Sequence, residues 1–528
     1  MLSVLTVILL PLVVVWGIFH SPVHGPNVLP VLTSFIFLPV LAAFVTLFAP
    51  AEKAKWVNLF FASAQLGLAF KVFFLYQTLV GGYQFTEEFP WLEGLGIHYA
   101  LGVDGLSVPL MLLVAAVYWA GVLMSWNITA RPKEYFIFFS LMAAGAAGAF
   151  VSLDLFFFFL FYELDILPMF LLIGIWGSGR KQYAATKFAL YLVGGSGLLL
   201  VGFLALYFTS GIHSFDIRVL GDLTQTGFSL AFQNVWFPLL AVGFGVLLAL
   251  VPFHTWSPDA YASAPTAASM MNAGVLKTLG GYGLLRIALP ALPEGAKEWL
   301  PFFAVLAVIN MLYAALVALK QKDIKYVVAY SSVAHCGYLV LGICAFQTTG
   351  FSGAVVQMFS QGILTAFAFG LVGLIESRTG TRQWDQLGGL SAAAPLLGGL
   401  FMMNTMANVG LPGFSSFVAE FMVFLGAFRS GFHDGFPIFK ILFPLAVTAI
   451  VIGAVYYLRL VQNVFFGPPR PALSGSTGSA IKDLKVMEAL PLALLLLLSL
   501  CVGLYPKPWV ELVNSSVVPL IDHIGGFK

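Results

Sequence analysis

The chain has 528 residues, 60% of them hydrophobic and only 9% charged, with 25 Lys and Arg against 23 Asp and Glu. A soluble domain uses roughly 25% charged residues, so a chain this poor in charge cannot cover a water-facing surface of its own size. With a mean hydropathy of +0.95, this excludes an ordinary soluble enzyme, a nucleic-acid binder and a disordered chain, and predicts an all-α polytopic membrane protein. The net charge of +2 implies no polyanionic partner.

A bilayer-crossing helix needs about 20 apolar residues. Apolar runs predict fourteen such helices, near 29–49, 55–80, 106–125, 134–151, 153–176, 186–209, 237–255, 266–290, 300–319, 326–347, 353–375, 392–428, 437–466 and 488–506. Residues 1–20 add an apolar run without a basic leader or a small-x-small cleavage site, read as an extra N-terminal helix that is retained. The expected organisation is peripheral helices over 29–125, two five-helix blocks over 134–290 and 300–466, and a C-terminal helix at 488–506. Loops alternate in charge. Lys53, Lys55, Arg131, Lys133, Arg180, Lys181, Lys320, Lys322, Lys325, Arg378, Arg382, Arg470, Lys482 and Lys485 fall on one set, which the positive-inside rule places in the cytoplasm.

An ionisable group at the bilayer centre costs about 2.5–3.5 kcal/mol on insertion scales, so each one inside a span needs a reason. Glu163 ends the run Phe156-Phe157-Phe158-Phe159-Leu160-Phe161-Tyr162, roughly ten residues or about 15 Å into its helix. Its bland reading is a structural ion pair. Asp165 points to another face, and Pro168 loosens the helix below it. Lys277 lies mid-span among Ala273, Gly274, Gly280 and Gly281, too deep to snorkel easily. His335 sits mid-span in Ala329-Tyr330-Ser331-Ser332-Val333-Ala334-His335; it is either hydrogen-bonded core or a proton relay suited by its ordinary pKa near 6.5. Lys187 lies near the cytoplasmic end of its helix, where it can snorkel or reach inward. Asp104 starts a helix, and capping explains it. Cys336, Cys344 and Cys501 have no paired spacing and read as packing residues.

Two helices are broken in corresponding places. Val251-Pro252-Phe253-His254 interrupts the seventh span, and Leu411-Pro412-Gly413 the twelfth, with Glu420 just beyond. Five helices per block is odd, so the second block is expected to be inverted relative to the first. Paired broken helices in inverted repeats point to an ion path. No haem, iron–sulfur or nucleotide motif is present, so the charges suggest a transported ion.

Several stretches resemble the antiporter-like membrane subunits of respiratory and photosynthetic complex I. They are Tyr162-Glu163-Leu164-Asp165-Ile166-Leu167-Pro168, Trp176-Gly177 with Ala184-Ala185-Thr186-Lys187-Phe188, and Pro252-Phe253-His254-Thr255-Trp256-Ser257-Pro258-Asp259-Ala260 with Gly274-Val275-Leu276-Lys277. Asp323-Ile324-Lys325, Tyr330-Ser331-Ser332-Val333-Ala334-His335 and Gly410-Leu411-Pro412-Gly413-Phe414 with Ala419-Glu420-Phe421 follow in the family's order. The terminal Glu420 is similar to the type called chain M in bacteria, D in cyanobacteria and plastids, and 4 in mitochondria.

The resemblance implies a proton-translocating subunit of an NAD(P)H- or ferredoxin:quinone oxidoreductase, a translocase subunit that does not itself touch electrons. It implies catalytic roles in proton movement for Glu163, Lys277, His335 and Glu420, with Lys187 added, helix breaks at Pro252, Pro412 and Gly413, and supporting roles for Asp165, His254 and Lys325. No cofactor is implied in this chain; quinone, iron–sulfur clusters and flavin belong to partner subunits. The implied partners are other membrane subunits, further antiporter-like chains among them, and lipid, in a bacterial plasma membrane, a thylakoid or another energy-transducing membrane. A cation/proton antiporter subunit and a membrane-bound hydrogenase subunit of the same superfamily are the alternatives. Three positions depart from the family: Leu247 stands where a seventh-helix lysine is usual, and Tyr261 and Gln361 replace histidines. Glu163 then lacks its usual partner: either Lys187 or Lys277 takes over, or the subunit pumps by a modified route or poorly, and Lys187 is the substitute expected here. Glu163, Lys277, His335 and Glu420 are expected along one line at similar depth.

Overall fold

The computed structural model describes residues 30–526 apart from 223–226, 434 and 469–480; the expected helix over 1–20 and Arg470 lie outside the described residues. The chain begins with α1 (Val31–Phe48) and α2 (Ala54–Leu75), then an antiparallel hairpin of β1 (Gln84–Leu92) and β2 (Ile97–Val103). α3 (Ser107–Met124), α4 (Pro132–Val151), α5 (Leu155–Trp176) and α6 (Lys181–Ser210) follow, then α7 (Leu230–Leu247) and α8 (Trp256–Ser263). α9 covers 266–291 and contains two π-helical turns, Asn272–Leu276 and Leu284–Ala288. α10 (Pro293–Lys320), α11 (Ile324–Cys344), α12 (Thr348–Thr379), α13 (Pro395–Asn408), α14 (Ser415–Phe432), α15 (Phe439–Phe465), α16 (Val486–Leu504) and α17 (Lys507–Ile524) complete it.

Among the described residues, 12 helices are long and apolar enough to cross a membrane. The apolar segments 266–291 and 395–432 are interrupted helices, so all fourteen expected segments are present in order. The main differences are at the ends: α6, α10 and α12 run to 30, 28 and 32 residues, because their polar terminal turns carry no hydropathy signal yet remain helical.

Burial corrects one expectation. α3 belongs to the segment 29–125 expected at the periphery, yet 94% of its spanning window is buried, as in α11 and α12. It packs against α2, α4, α9, α12 and α16. Its run Ser107–Met124 has no charged residue and no polar face, and a helix apolar all round belongs in a core.

Both expected breaks exist. α7 stops at Leu247 and α8 resumes at Trp256; α13 stops at Asn408 and α14 resumes at Ser415. Proline removes a donor and clashes with the preceding turn, so Pro252 and Pro412 fall where helix cannot continue. The freed backbone groups find partners nearby. Val251 N–H donates to Asn310 Oδ1 at 3.0 Å, and Trp256 Nε1 donates to Val246 O at 2.9 Å. Asn310 Nδ2 in turn donates to Val333 O at 2.7 Å, tying the first break to α11. In the second break Gly410 and Gly413 have φ of +81° and +101°, a region that favours residues without Cβ, and Ser416 Oγ donates to Ala407 O.

The hairpin and α17 lie outside the predicted elements. α17 is amphipathic, burying Trp509, Leu512, Val513, Val517, Ile521 and Ile524, a spacing legible as a helix face but too polar for a span. It straps one end of the bundle. Ser516 Oγ accepts from Gly105 N–H at 2.8 Å, Ser352 Oγ donates to Asn514 Oδ1 at 2.6 Å, and His523 Nε2 lies 2.6 Å from Gly221 O.

Candidate functional site

The middle of α9 and the facing turns of α11 bring the deep ionisable groups together. Lys277 follows the first π-turn directly and is buried among helices. Its Nζ donates to Ser332 Oγ and lies 3.4 Å from Ser332 O. One turn further along α11, His335 Nδ1 lies 2.8 Å from Ser331 O. A carbonyl only accepts, so this contact puts the proton on Nδ1 and aims Nε2 away from its own helix. Nε2 faces Glu420 Oε1 at 3.5 Å, and Tyr338 stacks on the ring with centroids 5.3 Å apart. Tyr456 donates to Ser331 Oγ at 2.9 Å, and Ser331 donates to Tyr457 at 3.0 Å, anchoring this turn to α15.

Lys277–Ser332 and His335–Glu420 are therefore two buried polar contacts on successive turns of α11, with Ser331 beside Ser332 holding the imidazole. A cavity of about 10 Å³ adjoins the second, lined by His335, Tyr338, Asn408, Glu420, Gly453 and Tyr456 among others, which is about the volume that admits a single water. The helix break at 409–414 makes this possible. A Cβ on Gly410 would come within 3.0 Å of Glu420 Oε2.

Glu163 stands apart from both contacts. It is half-buried, on the α5 face that carries Leu160 and Leu167, which are 46% and 63% exposed. Its Oε1 has no hydrogen-bond partner among the described residues, and the Ser196 hydroxyl of α6 lies beside the carboxyl. The neighbouring Gly195 packs on Val246, whose Cβ would be 3.0 Å from a Cβ added there. Leu247, the next residue, is buried. The place a seventh-helix cation would reach from is thus filled by an aliphatic side chain.

Lys187 does not take that place. Its Nζ pairs with Asp259 Oδ2 at 2.8 Å, and Tyr326 donates to Asp259 Oδ1 at 3.0 Å. The expectation of a Lys187–Glu163 contact is corrected: α8, resuming after the break, offers a carboxylate at the depth of Lys187, whereas Glu163 lies further along α5. Lys325 Nζ donates to Ala264 O at 2.8 Å, satisfying the end of α8, and Arg382 Nη1 donates to Ala262 O at 2.8 Å. These contacts all lie on the side of the Lys- and Arg-rich loops.

The remaining sequence candidates are structural neighbours of the path. Asp165 is fully buried against α4, where a Cβ on Gly145 would be 2.7 Å from its Oδ1, and both carboxyl oxygens lack partners among the described residues. His254 lies in the first break with its ring 5.1 Å from that of Tyr313. Asp104 does cap its helix, accepting from Leu106 and Ser107 N–H at 3.0 and 3.1 Å, but it also pairs with Arg286, which capping alone does not predict. Arg286 sits in the second π-turn and donates to Tyr83 at 2.9 Å. Sequence reading missed Asp259, Ser332, Asn310, Asn408 and Arg286. A charged residue four after Tyr282 and a polar one three before His335 were the available signals.

Interrupted helices flanking a buried line of ionisable side chains define the class of polytopic ion-translocating membrane proteins. Residues 152–443 match the family described as NADH:quinone oxidoreductase/Mrp antiporter, TM. The chain is 38% identical over 504 residues to NAD(P)H-quinone oxidoreductase chain 4 1 of Synechococcus elongatus, covering 94% of this chain and 92% of that one. It is 35% identical over 502 residues to NADH-quinone oxidoreductase subunit M of Rickettsia bellii, covering 93% and 99%. A chain in the structure of respiratory complex I from Thermus thermophilus with bound NADH superposes with a TM-score of 0.83 at 27% identity, covering 93% of this chain and 99% of that one. The chain belongs to the NADH:quinone oxidoreductase/Mrp antiporter membrane family.

Proposed function

We propose that this chain is the chain M/chain 4-type subunit of a complex I-type quinone oxidoreductase, and that it moves protons along Lys277, Ser332, His335 and Glu420 while partner subunits carry the electrons. The observation that supports this best is that successive turns of α11 hold Lys277 at Ser332 and bring His335 within 3.5 Å of Glu420 inside the bundle. A buried amine, an imidazole and a carboxylate in sequence offer groups that take and release a proton in turn. The blocks 134–290 and 300–466 serve as two inverted repeats, each contributing one interrupted helix to the path.

Lys187, Asp259 and Tyr326 form the cytoplasmic mouth on this reading, and the unwound residues 248–255 with His254 admit water between mouth and axis. Glu163 works at the boundary with a neighbouring subunit. A carboxyl facing lipid would cost about 2.5–3.5 kcal/mol, so the face bearing Leu160, Glu163 and Leu167 suits a further antiporter-like chain that supplies polar contact. Quinone, iron–sulfur clusters and flavin reside in partner subunits.

The test is the assembled complex in proteoliposomes carrying Lys277→Met or Glu420→Gln. Each is expected to lower the number of protons moved per electron. Wild-type stoichiometry in both would overturn the reading.

A further inference from the structure

α8, the half-helix that carries Asp259, is 8 residues long, and the unwound residues 248–255 precede it. A helix leaves its last carbonyls without partners of its own, and Pro265 lacks the N–H that would have paired with Tyr261 O. Each carbonyl from Tyr261 to Ala264 is instead taken by a different neighbour. Ser269 Oγ of α9 donates to Tyr261 O, and Arg382 Nη1 to Ala262 O, both at 2.8 Å. The N–H of Ser178 donates to Ser263 O, and Lys325 Nζ to Ala264 O, again at 2.8 Å. Two of these donors are cations, the charge that a helix C-terminus favours. Both belong to the second block: Lys325 lies in the first turn of α11, and Arg382 between α12 and α13.

The two cations are joined to each other. Arg382 Nε lies 3.1 Å from Asp323 Oδ2 and 3.7 Å from Glu376 Oε1, and Asp323 caps α11 by accepting the Lys325 N–H at 2.8 Å. The backbone of 382–384 runs beside that of 322–324. Ile324 N–H donates to Arg382 O at 2.9 Å, and Trp384 N–H to Lys322 O at 3.0 Å. The first turn of α11 and the segment after α12 thus form one clasp on the end of α8. The same turn of α11 supplies Tyr326, which donates to Asp259 Oδ1 at 3.0 Å. The partner of Asp259 Oδ2, Lys187, comes from the first block and lies at 2.8 Å. α8 is therefore gripped at its end by one block while its carboxylate meets the cation of the other.

We propose that Lys325 and Arg382 are positioning residues for the cytoplasmic mouth: by gripping the end of α8 they hold Asp259 against Lys187, so that the second block sets the opening of the first. This rests on the reading of Lys187, Asp259 and Tyr326 as the mouth. The unwound residues 248–255 can absorb backbone rotation at the other end of α8, as hinges do, so a shift of the clasp swings Asp259 rather than the whole bundle. Arg382 does not lose its proton, and its part is to hold, not to relay. α11 extends the reach of the arrangement. His335 lies roughly ten residues, or about 15 Å, along the same helix from Lys325. A displacement of α11 that follows a change of charge at His335 or Glu420 reaches the mouth through one rigid element.

The experiment measures protons moved per electron in the assembled complex, in proteoliposomes, for Arg382→Met, for Lys187→Met and for the two together, with Arg382→Lys as the conservative variant. Arg382→Met is expected to lose as much as Lys187→Met, the pair to lose no more than either alone, and Arg382→Lys to recover most of the loss. Lys325→Met is expected to match Arg382→Met. A purely structural role would lower the amount of complex and leave protons per electron unchanged, and a separate role would make the losses multiply; either result overturns the inference. Electron cryomicroscopy of Arg382→Met gives the geometric readout. Lys187 and Asp259 are expected to part beyond hydrogen-bond distance, and a pair still at 2.8 Å refutes the clasp. If Arg382→Met does not assemble, Arg382→Gln takes its place in both measurements, and failure of both to assemble refutes a role confined to positioning. Unaltered protons per electron in Lys187→Met rejects the mouth itself; a loss there with none in Arg382→Met rejects only the clasp.

Discussion

The ammonium of Lys187 is held 2.8 Å from the carboxylate of Asp259, across the interval between α6 and the half-helix that resumes after the first break. The pair is about one-fifth exposed on each side, and Tyr326 completes the carboxylate's hydrogen bonds. Lys187→Met and Asp259→Asn are therefore expected to lower proton translocation to the same extent, and the double variant to be no worse than either. A double-mutant cycle measures this, with a coupling of about 1 kcal/mol expected for a partly exposed pair. Additive losses would show that the two residues act separately.

Leu247→Lys is the complementary change. Leu247 ends α7 beside the Val246–Gly195 contact that borders Ser196 and Glu163. A cation at a helix C-terminus is favoured by the helix dipole, by about 0.3–1 kcal/mol. The substitution is expected to raise protons moved per electron, and the rise should disappear in Leu247→Lys/Glu163→Gln. An assembled Leu247→Lys complex with unaltered stoichiometry contradicts a working role for Glu163.

Arg286 and Asp104 form a buried pair at the outer end of the bundle, flanked by Tyr83 and Tyr282. Removing one partner of a buried pair leaves an uncompensated charge, at a cost of about 3–5 kcal/mol. Arg286→Met should consequently destabilise the subunit by that order, read as loss of assembled complex or a lower unfolding temperature. Arg286→Lys should recover part of it. Equal stability of Arg286→Met and the unaltered chain would mean the pair is water-filled rather than buried.

The Asp154 carboxyl, at the N-cap of α5, is pushed up from 3.8 to about 6 by burial, with Asp216 adding to it and the N–H groups of His98, Phe157 and Phe156 opposing. The folded chain then holds this proton more tightly than the unfolded one. Stability from this group is present at low pH and is lost as pH rises from about 4 to about 6, at no more than about 1.4 kcal/mol for each step of one in pH. Asparagine caps helices as well as aspartate does, so Asp154→Asn should flatten the fall in unfolding temperature across that window. An unchanged slope would place the pH dependence elsewhere.

Much of this protein is legible along the chain because a bilayer imposes a one-dimensional rule. Backbone groups in hydrocarbon must pair within their own helix, so apolar runs such as 324–344 mark spans directly, and Pro252, Pro412 and Gly413 mark where pairing fails. The depth of Lys277, His335 and Glu420 follows from counting residues in those spans. Sideways relations do not. Whether Lys187 meets Glu163 or Asp259 depends on how α6 rotates against a half-helix over seventy residues away, and hydropathy carries no information about rotation when a helix is apolar on every side. The same limit hid the central place of α3, the pairing of Asp104 with Arg286, and the close backbone approach of Gly274 to Gly362. Helix number, order and interruption, with the depth of each buried charge, are properties of the chain read end to end. Which charges touch is a property of the folded bundle, because packing between apolar surfaces is settled by shape and by the few polar groups that must find each other.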